Sequence, residues 1–244
     1  ELLMLNIDAK TSVQNACLLS AQGETLATGA VSFPIRACYP QVALRNRAVH
    51  ILAIGDIVEP VEEWKKYKFE QTQRTWDYVF RILYYTQTPD LVSQPFSAPM
   101  EIANVDKTAG YIGNQDLWIA PDGSAYIMYT ETEVASELLR DKFFPGRSLI
   151  PSLHLAVVKD GQIARRKALV QGTDQGSPGC ARFHETPDGN LYAVAYVSGA
   201  EGGVRVAQVF PESDTPPVWA SVPMQKPMPT FCLASIRAGN KPSN

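Results

Sequence analysis

The sequence has few of the residues and motifs from which specific metal, cofactor or hydrolase sites are recognised. It contains three histidines and four cysteines among 244 residues, with no Cys-x-x-Cys pair, so the spacing argues against a structural zinc site. No Gly-x-Gly-x-x-Gly, Walker loop or Gly-x-Ser-x-Gly elbow occurs. Nucleotide cofactors and serine hydrolase chemistry are therefore unsupported, and we expect neither a metal nor a cofactor. Free buried thiols are favoured over a single disulfide, which stays open as the alternative.

The sequence also lacks a surplus of positive charge and a long apolar run. Lys and Arg number 22 against 25 Asp and Glu, which gives a net charge of −3. This balance argues against a broad basic surface for nucleic acid or anionic membranes. No apolar run reaches the roughly 18–20 residues that span a bilayer, and the start lacks the basic region and cleavage site of a signal peptide. The first residue, Glu1, and the ending 241–244 predict the cut edges of a longer protein, and the oligomeric state stays unknown.

What the sequence does contain is a repeated hairpin. Residues 116–129 and 181–196 each combine a strand, a Pro-Asp-Gly turn and an alternating apolar strand. Asp-Gly between two such runs is a strong hairpin signal, because the turn needs positive φ. The turn aspartates Asp122 and Asp188 are 66 residues apart (188 − 122). A weaker copy at 42–53 places Asn46 another 76 residues earlier (122 − 46).

A second kind of hairpin recurs at about twice this spacing. Residues 155–163 resemble residues 17–25, with Gly161 lying 138 positions after Gly23 (161 − 23). Two hairpin types that alternate with a shared period predict a four-stranded unit of inner and outer hairpins. That unit is the blade of a β-propeller, an all-β fold. A β-sandwich with coincidentally similar hairpins is the alternative.

The repeat predicts one propeller domain over residues 1–244. Its segments are the outer strands of one blade at 1–33, blades at 34–103, 104–172 and 173–225, and the start of a further blade at 226–244. The half-blades at the two ends either join to close a four-bladed ring or belong to a larger ring. Tyr78–Thr86 is predicted as the third strand of its blade, and helix is predicted only at Val61–Lys68 and Val134–Lys142.

The pattern of Asp116–Tyr129, its copy Arg182–Tyr196 and the ending Ser235–Gly239 resemble the sialidase-like, BNR-repeat propellers. The family's Asp-box, Ser-x-Asp-x-Gly-x-x-Trp, is absent, and the Pro-Asp-Gly turns fall in inner rather than outer hairpins. The chain therefore resembles a divergent member. The resemblance implies a glycan partner and a secreted or periplasmic location. Its relatives include sialidases, other glycosidases, polysaccharide lyases and non-catalytic glycan binders, among which a fold does not choose.

Candidate site residues lie where strands enter and leave the predicted ligand face. Two long connections, residues 55–77 and 130–152, emerge there, and long loops in compact folds are usually functional or disordered. The catalytic candidates are Asp56, Glu59, Asp116 and Glu131. One carboxyl of a pair can protonate a leaving oxygen while the other acts as base or nucleophile. The substrate-binding candidates are Arg36, Arg182, Arg237 and Trp64, since arginine binds carboxylates bidentately.

Structural roles compete with each of these assignments. Asp56 and Glu59 could cap loop amides or pair with Lys65 or Lys68, and the arginines could form ion pairs between blades. Trp64 and Trp76 could pack in the core or stack on sugar rings. Three functions therefore stay open: a glycoside hydrolase, sialidase-like in its use of carboxylates and arginines; a non-catalytic glycan- or protein-binding propeller; and a polysaccharide lyase.

Overall fold

Antiparallel β-structure dominates the computed structural model, which describes residues 1–200, 202–213, 215–226 and 228. These residues divide into two compact units. The first unit comprises Glu1–Ile112 and Val134–Arg147, and the second comprises Gly113–Glu133 and the described residues from Ser148 onward.

The first unit holds two larger sheets and a short ladder. Its strands are β1 (Leu2–Ile7), β2 (Gln14–Leu19), β3 (Thr25–Val31), β4 (Ala37–Arg45), β5 (Ala48–Gly55), β6 (Ile57–Val58), β7 (Tyr78–Val79), β8 (Ile82–Thr88) and β9 (Met100–Asn104). Strands β1-β2-β3 form a three-stranded sheet, and β4-β5-β8-β9 form a four-stranded sheet. The ladder of β6 and β7 extends from the connection between β5 and β8.

The second unit holds two four-stranded sheets. Their strands are β10 (Tyr111–Ile119), β11 (Ala125–Thr132), β12 (Ser152–Lys159), β13 (Gln162–Val170), β14 (Pro178–Glu185), β15 (Leu191–Val197), β16 (Gly203–Phe210) and β17 (Ala220–Ser221). The first two residues of strand β10, Tyr111 and Ile112, belong to the first unit. Each sheet follows chain order, β10-β11-β12-β13 and β14-β15-β16-β17. The predicted fold class, all-β and built of four-stranded antiparallel propeller blades, is confirmed.

The bounds predicted for the individual blades stay predictions, as does the way the half-blades are completed. Of the further blade predicted at 226–244, only residues 226 and 228 belong to the part of the chain that the structure describes. Among the described residues, no helix is both long and apolar enough to cross a membrane.

The two Pro-Asp-Gly turns are built in the same way. The Ala120 N–H donates to the Ser124 carbonyl and the Gly123 N–H to the Ala120 carbonyl, and Gly123 has φ +84°. The equivalent bonds of the second turn join Thr186 to Asn190 and Gly189 to Thr186, with φ +82° at Gly189. Positive φ is nearly free of cost for glycine, so the repeat that is visible in the sequence reflects a local backbone requirement.

Two further hairpins use a different turn. Asp160 and Gly161, between β12 and β13, both have positive φ, at +51° and +72°. Asn46 and Arg47, between β4 and β5, share this feature at +49° and +68°. Two consecutive positive φ angles are typical of the type I′ turn that joins twisted strands tightly. The weaker copy at Asn46 therefore has a turn of another type than the two Pro-Asp-Gly copies.

Each unit has its own apolar core. In the first unit, Leu18 of the three-stranded sheet packs in one cluster with Val49 and Ile51 of β5. In the second, the rings of Trp118, Tyr126 and Phe210 lie with centroids 5.2–5.7 Å apart. The Trp118 indole N–H also donates to Glu185 at 2.8 Å, so the polar edge of this buried ring is satisfied.

The first unit contains two helices, one in each long connection, and a 3₁₀ turn at Asp106–Thr108 between β9 and β10. Helix α1 (Glu62–Thr72) runs four residues beyond the predicted end and stops at Gln73, which adopts φ +57°. Helix α2 (Glu137–Phe143) starts three residues later than predicted, because the Ser136 hydroxyl accepts the Leu139 N–H as an N-cap. The strand predicted to begin at Tyr78 begins at Ile82, since Tyr78–Val79 pairs with β6 instead.

Candidate functional site

Asp56 follows the last residue of β5 and is tied to the segment that leads into β4. Its carboxylate lies 2.6 Å from Nη1 of Arg36, which also donates to the Asp56 carbonyl at 3.0 Å. The Asp56 side chain is buried, whereas that of Arg36 is 45% exposed. Burial raises the pKa of the neighbouring Cys38 thiol, and a hydrogen bond to Asp56 adds to this shift. The structure thus brings together two of the predicted site residues, Arg36 and Asp56.

Glu59 is enclosed by a network of charges. Its carboxylate accepts two hydrogen bonds from Arg81, at 2.9 and 2.5 Å, and one from Lys68 at 2.7 Å. Lys68 also reaches Asp77 at 2.6 Å. Burial acts to raise the pKa of Glu59, but the bonds from Arg81 and Lys68 outweigh it and hold that pKa below its usual value. These contacts fasten helix α1 to the segments on either side of it.

Trp64 of helix α1 packs against two phenylalanines at the end of helix α2. Its ring centroid lies 5.3 Å from that of Phe144 and 6.4 Å from that of Phe143. The Arg81 guanidinium sits over the same ring, 5.1 Å from the centroid. Trp64 thereby joins the Glu59 network to the aromatic contacts between α1 and α2.

A groove of about 590 Å³ opens beside this network, within the range of small-molecule sites. We call it the loop groove. It is lined by Lys68 and Thr72 of α1, by residues 73–78, and by Ser136 and Leu138 at the start of α2. Its wall carries Trp76, which is 68% exposed, and Tyr78, which is 37% exposed. The two ring centroids lie 5.5 Å apart, and the Arg36 guanidinium lies 5.7 Å from the Tyr78 ring.

An exposed tryptophan beside an exposed tyrosine is unusual, since large exposed apolar surfaces commonly mark binding sites. The sequence predicts Trp76 as a sugar-stacking candidate and Tyr78 as the start of a strand, and it does not single out Arg81. The alternation Trp76-x-Tyr78-x-Phe80 was the available signal, because alternate residues of an extended segment face the same side.

In the second unit, Asp116 is wholly buried and bound to backbone. Its carboxylate accepts the N–H of Leu117 at 2.9 Å and that of Phe183 at 3.0 Å, which links β10 to β14. Arg182 is also buried, and its Nη1 donates to the carbonyls of Gln115 and Ala181. Both side chains therefore contribute to the joining of two neighbouring inner strands.

Glu131 lies at the end of β11 in a half-buried position. Burial raises the pKa of its carboxyl; Arg166 opposes this shift and Glu133 adds to it. Two residues earlier on the same side of the strand, Tyr129 stacks on His154 with centroids 5.3 Å apart. The Arg166 guanidinium lies 5.6 Å from the Tyr129 ring. Glu131 thus sits near a cation and has no paired contact as tight as that of Glu59.

The catalytic and binding roles predicted from the sequence stay predictions. Asp56, Glu59, Arg36 and Trp64 belong to the first unit, and Asp116, Glu131 and Arg182 to the second. Arg237 lies outside the described residues. Within the described part of the chain, no group of three or more His, Cys, Asp or Glu side chains is placed to hold a metal ion, and Cys17, Cys38 and Cys180 are free thiols.

No family model and no curated protein matches this chain. Among solved structures, a protein of unknown function from Dyadobacter fermentans DSM 18053 is 14% identical with a TM-score of 0.52; the match covers 88% of this chain and 59% of that one. The likeness supports the fold alone. Two further structures align with TM-scores below 0.5 and support no conclusion. The GH93 α-L-arabinofuranosidase of Fusarium graminearum is 15% identical with a TM-score of 0.49, and the match covers 96% of this chain and 61% of that one. The α-L-arabinanase of Penicillium chrysogenum is 12% identical with a TM-score of 0.44, and the match covers 90% of this chain and 58% of that one.

Proposed function

We propose that this chain is the glycan-binding part of a carbohydrate-active propeller, with its binding site in the loop groove. The observation that carries the proposal is the exposed pair Trp76 and Tyr78 on the wall of that groove. A sugar ring has an apolar C–H face and a polar rim of hydroxyls. Flat aromatic rings with polar edges, such as Trp and Tyr, fit the face, and a few well-placed polar groups fit the rim.

The polar groups at this site are held in place before any ligand arrives. Lys68 is fixed between Glu59 and Asp77, and Arg36 is fixed by Asp56 beneath Tyr78. Binding to fixed groups saves the conformational entropy that mobile lysine and arginine side chains lose on binding. Asp56 and Glu59, which the sequence predicts as catalytic, form ion pairs with Arg36 and Lys68. These ion pairs support a role for the two cations in binding a ligand.

The test is titration calorimetry of the chain with soluble neutral, sialylated and uronate-containing glycans. We expect Trp76→Ala to weaken binding about tenfold or more, because the exposed ring supplies the stacking surface. Phe69→Ala is the matched control, since Phe69 is an exposed aromatic of α1 that does not line the groove. Binding that is equally strong in both variants would place the site elsewhere.

Glycoside hydrolysis is a second candidate function, and Glu131 is the residue that favours it. A general acid must keep its proton near neutral pH, and the raised pKa of this half-buried carboxyl is in the required direction. Sialidase-like specificity, which the sequence resemblance implies, belongs to this candidate. A lyase would instead release unsaturated uronate products that absorb in the ultraviolet.

Release of reducing sugar from the same glycans tests the hydrolytic candidate. We expect Glu131→Gln to lower turnover about 10²–10⁴-fold, the usual contribution of a general acid, and to leave binding in the calorimeter unchanged. Glu133→Gln, which changes an exposed neighbouring carboxylate, should retain turnover. If the rate is unaltered in Glu131→Gln, Glu131 is not the general acid. If the chain binds glycans but hydrolyses none of them, the hydrolytic candidate is rejected and only the binding function remains.

A further inference from the structure

A second set of aromatic rings lies beside the loop groove in the first unit. The Phe80 ring contacts Tyr39 on one side and Tyr111 on another, with centroid distances of 5.7 and 6.1 Å. Tyr39 is 61% exposed and Tyr111 is 45% exposed. Neither ring lines the loop groove itself, so these exposed aromatics have no part in the site described above.

The backbone holds Tyr39 outward at an energetic cost. The register of β4 on β5 shifts between Cys38 and Gln41, so that Tyr39 lies in a bulge, and its φ is +49°. A bulky residue in the left-handed region is a true outlier. Backbone strain of this kind persists where the surrounding structure imposes it, and it clusters at binding and catalytic sites.

The two aromatic sets are continuous along the chain. The ladder of β6 and β7, extended by the bond from the Glu59 N–H to the Asp77 carbonyl, holds residues 77–79 extended. Alternate side chains therefore face one side, and residues 76–80 span about 13 Å at the usual rise of a strand. Contacts support this alignment, since Tyr78 meets Arg36 while Phe80 meets Tyr39 from the same segment. We call Trp76, Tyr78, Phe80, Tyr39 and Tyr111 the aromatic row.

We propose that the aromatic row is a series of sugar subsites, so that the site takes the interior of an oligosaccharide or polysaccharide chain instead of one terminal sugar. The proposal rests on the glycan-binding function proposed above and specifies the class of ligand. One sugar ring covers about one aromatic ring, and the row places exposed rings at both of its ends. Tyr39 is assigned to the subsite farther from Trp76.

The chemistry of the row fits a glycan better than a protein partner. All its members except Phe80 carry an N–H or O–H on the ring edge, which suits a ligand with hydroxyls around an apolar face. The buried carboxylate of Asp56 and its partner Arg36 lie next to the row at Tyr78. The buried core of a protein interface is instead depleted of charged residues, aspartate among them, whereas an aspartate–arginine pair borders this row.

The experiment compares ligand lengths. Migration of the chain through native gels that contain arabinan, xylan, polygalacturonate or polysialate identifies a polymer that binds. Di- and hexasaccharides of that polymer are then titrated by calorimetry. We expect the hexasaccharide to bind about tenfold more tightly than the disaccharide, as one or two further stacking contacts supply.

Tyr39→Gly is the decisive variant, because glycine adopts the positive φ at this position without strain and the fold should be retained. It should weaken hexasaccharide binding about tenfold and leave disaccharide binding unchanged, and Tyr111→Ala should act in the same direction. Phe69→Ala is again the control for an exposed aromatic outside the row.

The outcomes separate this proposal from the one on which it rests. If the disaccharide and the hexasaccharide bind equally tightly, or if Tyr39→Gly has no effect on hexasaccharide binding, the proposal of a series of subsites is wrong. The loop groove is still a glycan site in that case if Trp76→Ala weakens disaccharide binding. No retardation in any gel and no calorimetric binding overturns both. Self-association of the chain that Tyr39→Gly abolishes in sedimentation would make the row a protein contact and also overturn the subsites.

Discussion

At the scale of single residues, the contacts of Glu59 set it apart from the other predicted carboxylates. Its side chain is fully buried, and so is that of its partner Arg81. Such a pair repays the cost of desolvation only while both partners are present. Asp56 and Asp116 are buried as well, but Asp56 pairs with a partly exposed arginine and Asp116 with backbone N–H groups.

We expect Glu59→Gln to lower the free energy of unfolding, toward the lower end of about 3–5 kcal/mol, since it leaves the buried Arg81 only the 3.4 Å contact with Asp106 as a counter-charge. Urea denaturation measures this change. Glu62→Gln is the control, because the Glu62 side chain is 82% exposed and its Lys65 pair is 3.5 Å apart; it should alter stability by no more than about 0.5 kcal/mol. Equal denaturation midpoints for the two variants would contradict a structural role of Glu59.

The same ion pairs predict a pH dependence. The pKa of Glu59 is lower in the folded chain than its ordinary value of 4.5. Its stabilisation is therefore complete above the unfolded pKa and is lost as pH falls through the folded pKa. We expect the stability difference between the wild type and Glu59→Gln to be constant above about pH 5 and to shrink below about pH 4.5. A difference that persists undiminished to about pH 3 would argue against this linkage.

At the scale of elements, the long connections contain ordered helices that shape the loop groove. Helix α1 ends at Gln73, whose positive φ turns the chain toward Trp76. The bonds from Lys68 to Glu59 and Asp77 fix the two sides of this turn. The groove therefore depends on how α1 ends as much as on which residues line it.

Gln73→Gly should raise the free energy of unfolding by about 0.5–1 kcal/mol, because glycine takes the left-handed C-terminal position of a helix without steric cost. Lys66→Gly, in the middle of the same helix, should lower it by about 1 kcal/mol. Thermal or urea unfolding of the pair distinguishes the two effects. If Gln73→Gly lowers the free energy of unfolding as Lys66→Gly does, the positive φ of Gln73 is not a source of strain at the end of α1.

At the scale of the whole molecule, the charge balance limits the kinds of partner. With 22 basic and 25 acidic residues, the chain has no excess of cations to displace the counterions of a polyanion. A glycan partner needs no such excess when its rings are bound by aromatic side chains. The net charge of −3 is thus compatible with the proposed site and unfavourable for nucleic acid.

We expect the chain to leave the mobility of a labelled DNA duplex unchanged, even at a low salt concentration of about 50 mM, where nonspecific electrostatic binding is strongest. A native gel with increasing amounts of the chain makes the measurement. Salt-sensitive retardation of the duplex would reveal a basic surface that the overall composition conceals.

The sequence by itself determined the local geometry of this protein. Asp122-Gly123 and Asp188-Gly189 were recognisable because a turn with positive φ demands particular residues at adjacent positions. Antiparallel strands follow such turns directly, so the four-stranded units could be predicted from spacing. The start of β8 was less predictable, since it depends on the pairing of Tyr78–Val79 with β6.

Only the tertiary structure decided which side chains form ion pairs and ring contacts with one another. Arg36 and Asp56 are 20 positions apart, and Glu59 and Arg81 are 22 apart, so no local rule pairs them. The same holds for the contact of Tyr39 with Phe80. Backbone turns are set by neighbours in the chain, whereas charges and rings are paired by folding, which is why the hairpins were evident in the sequence and the aromatic row was not.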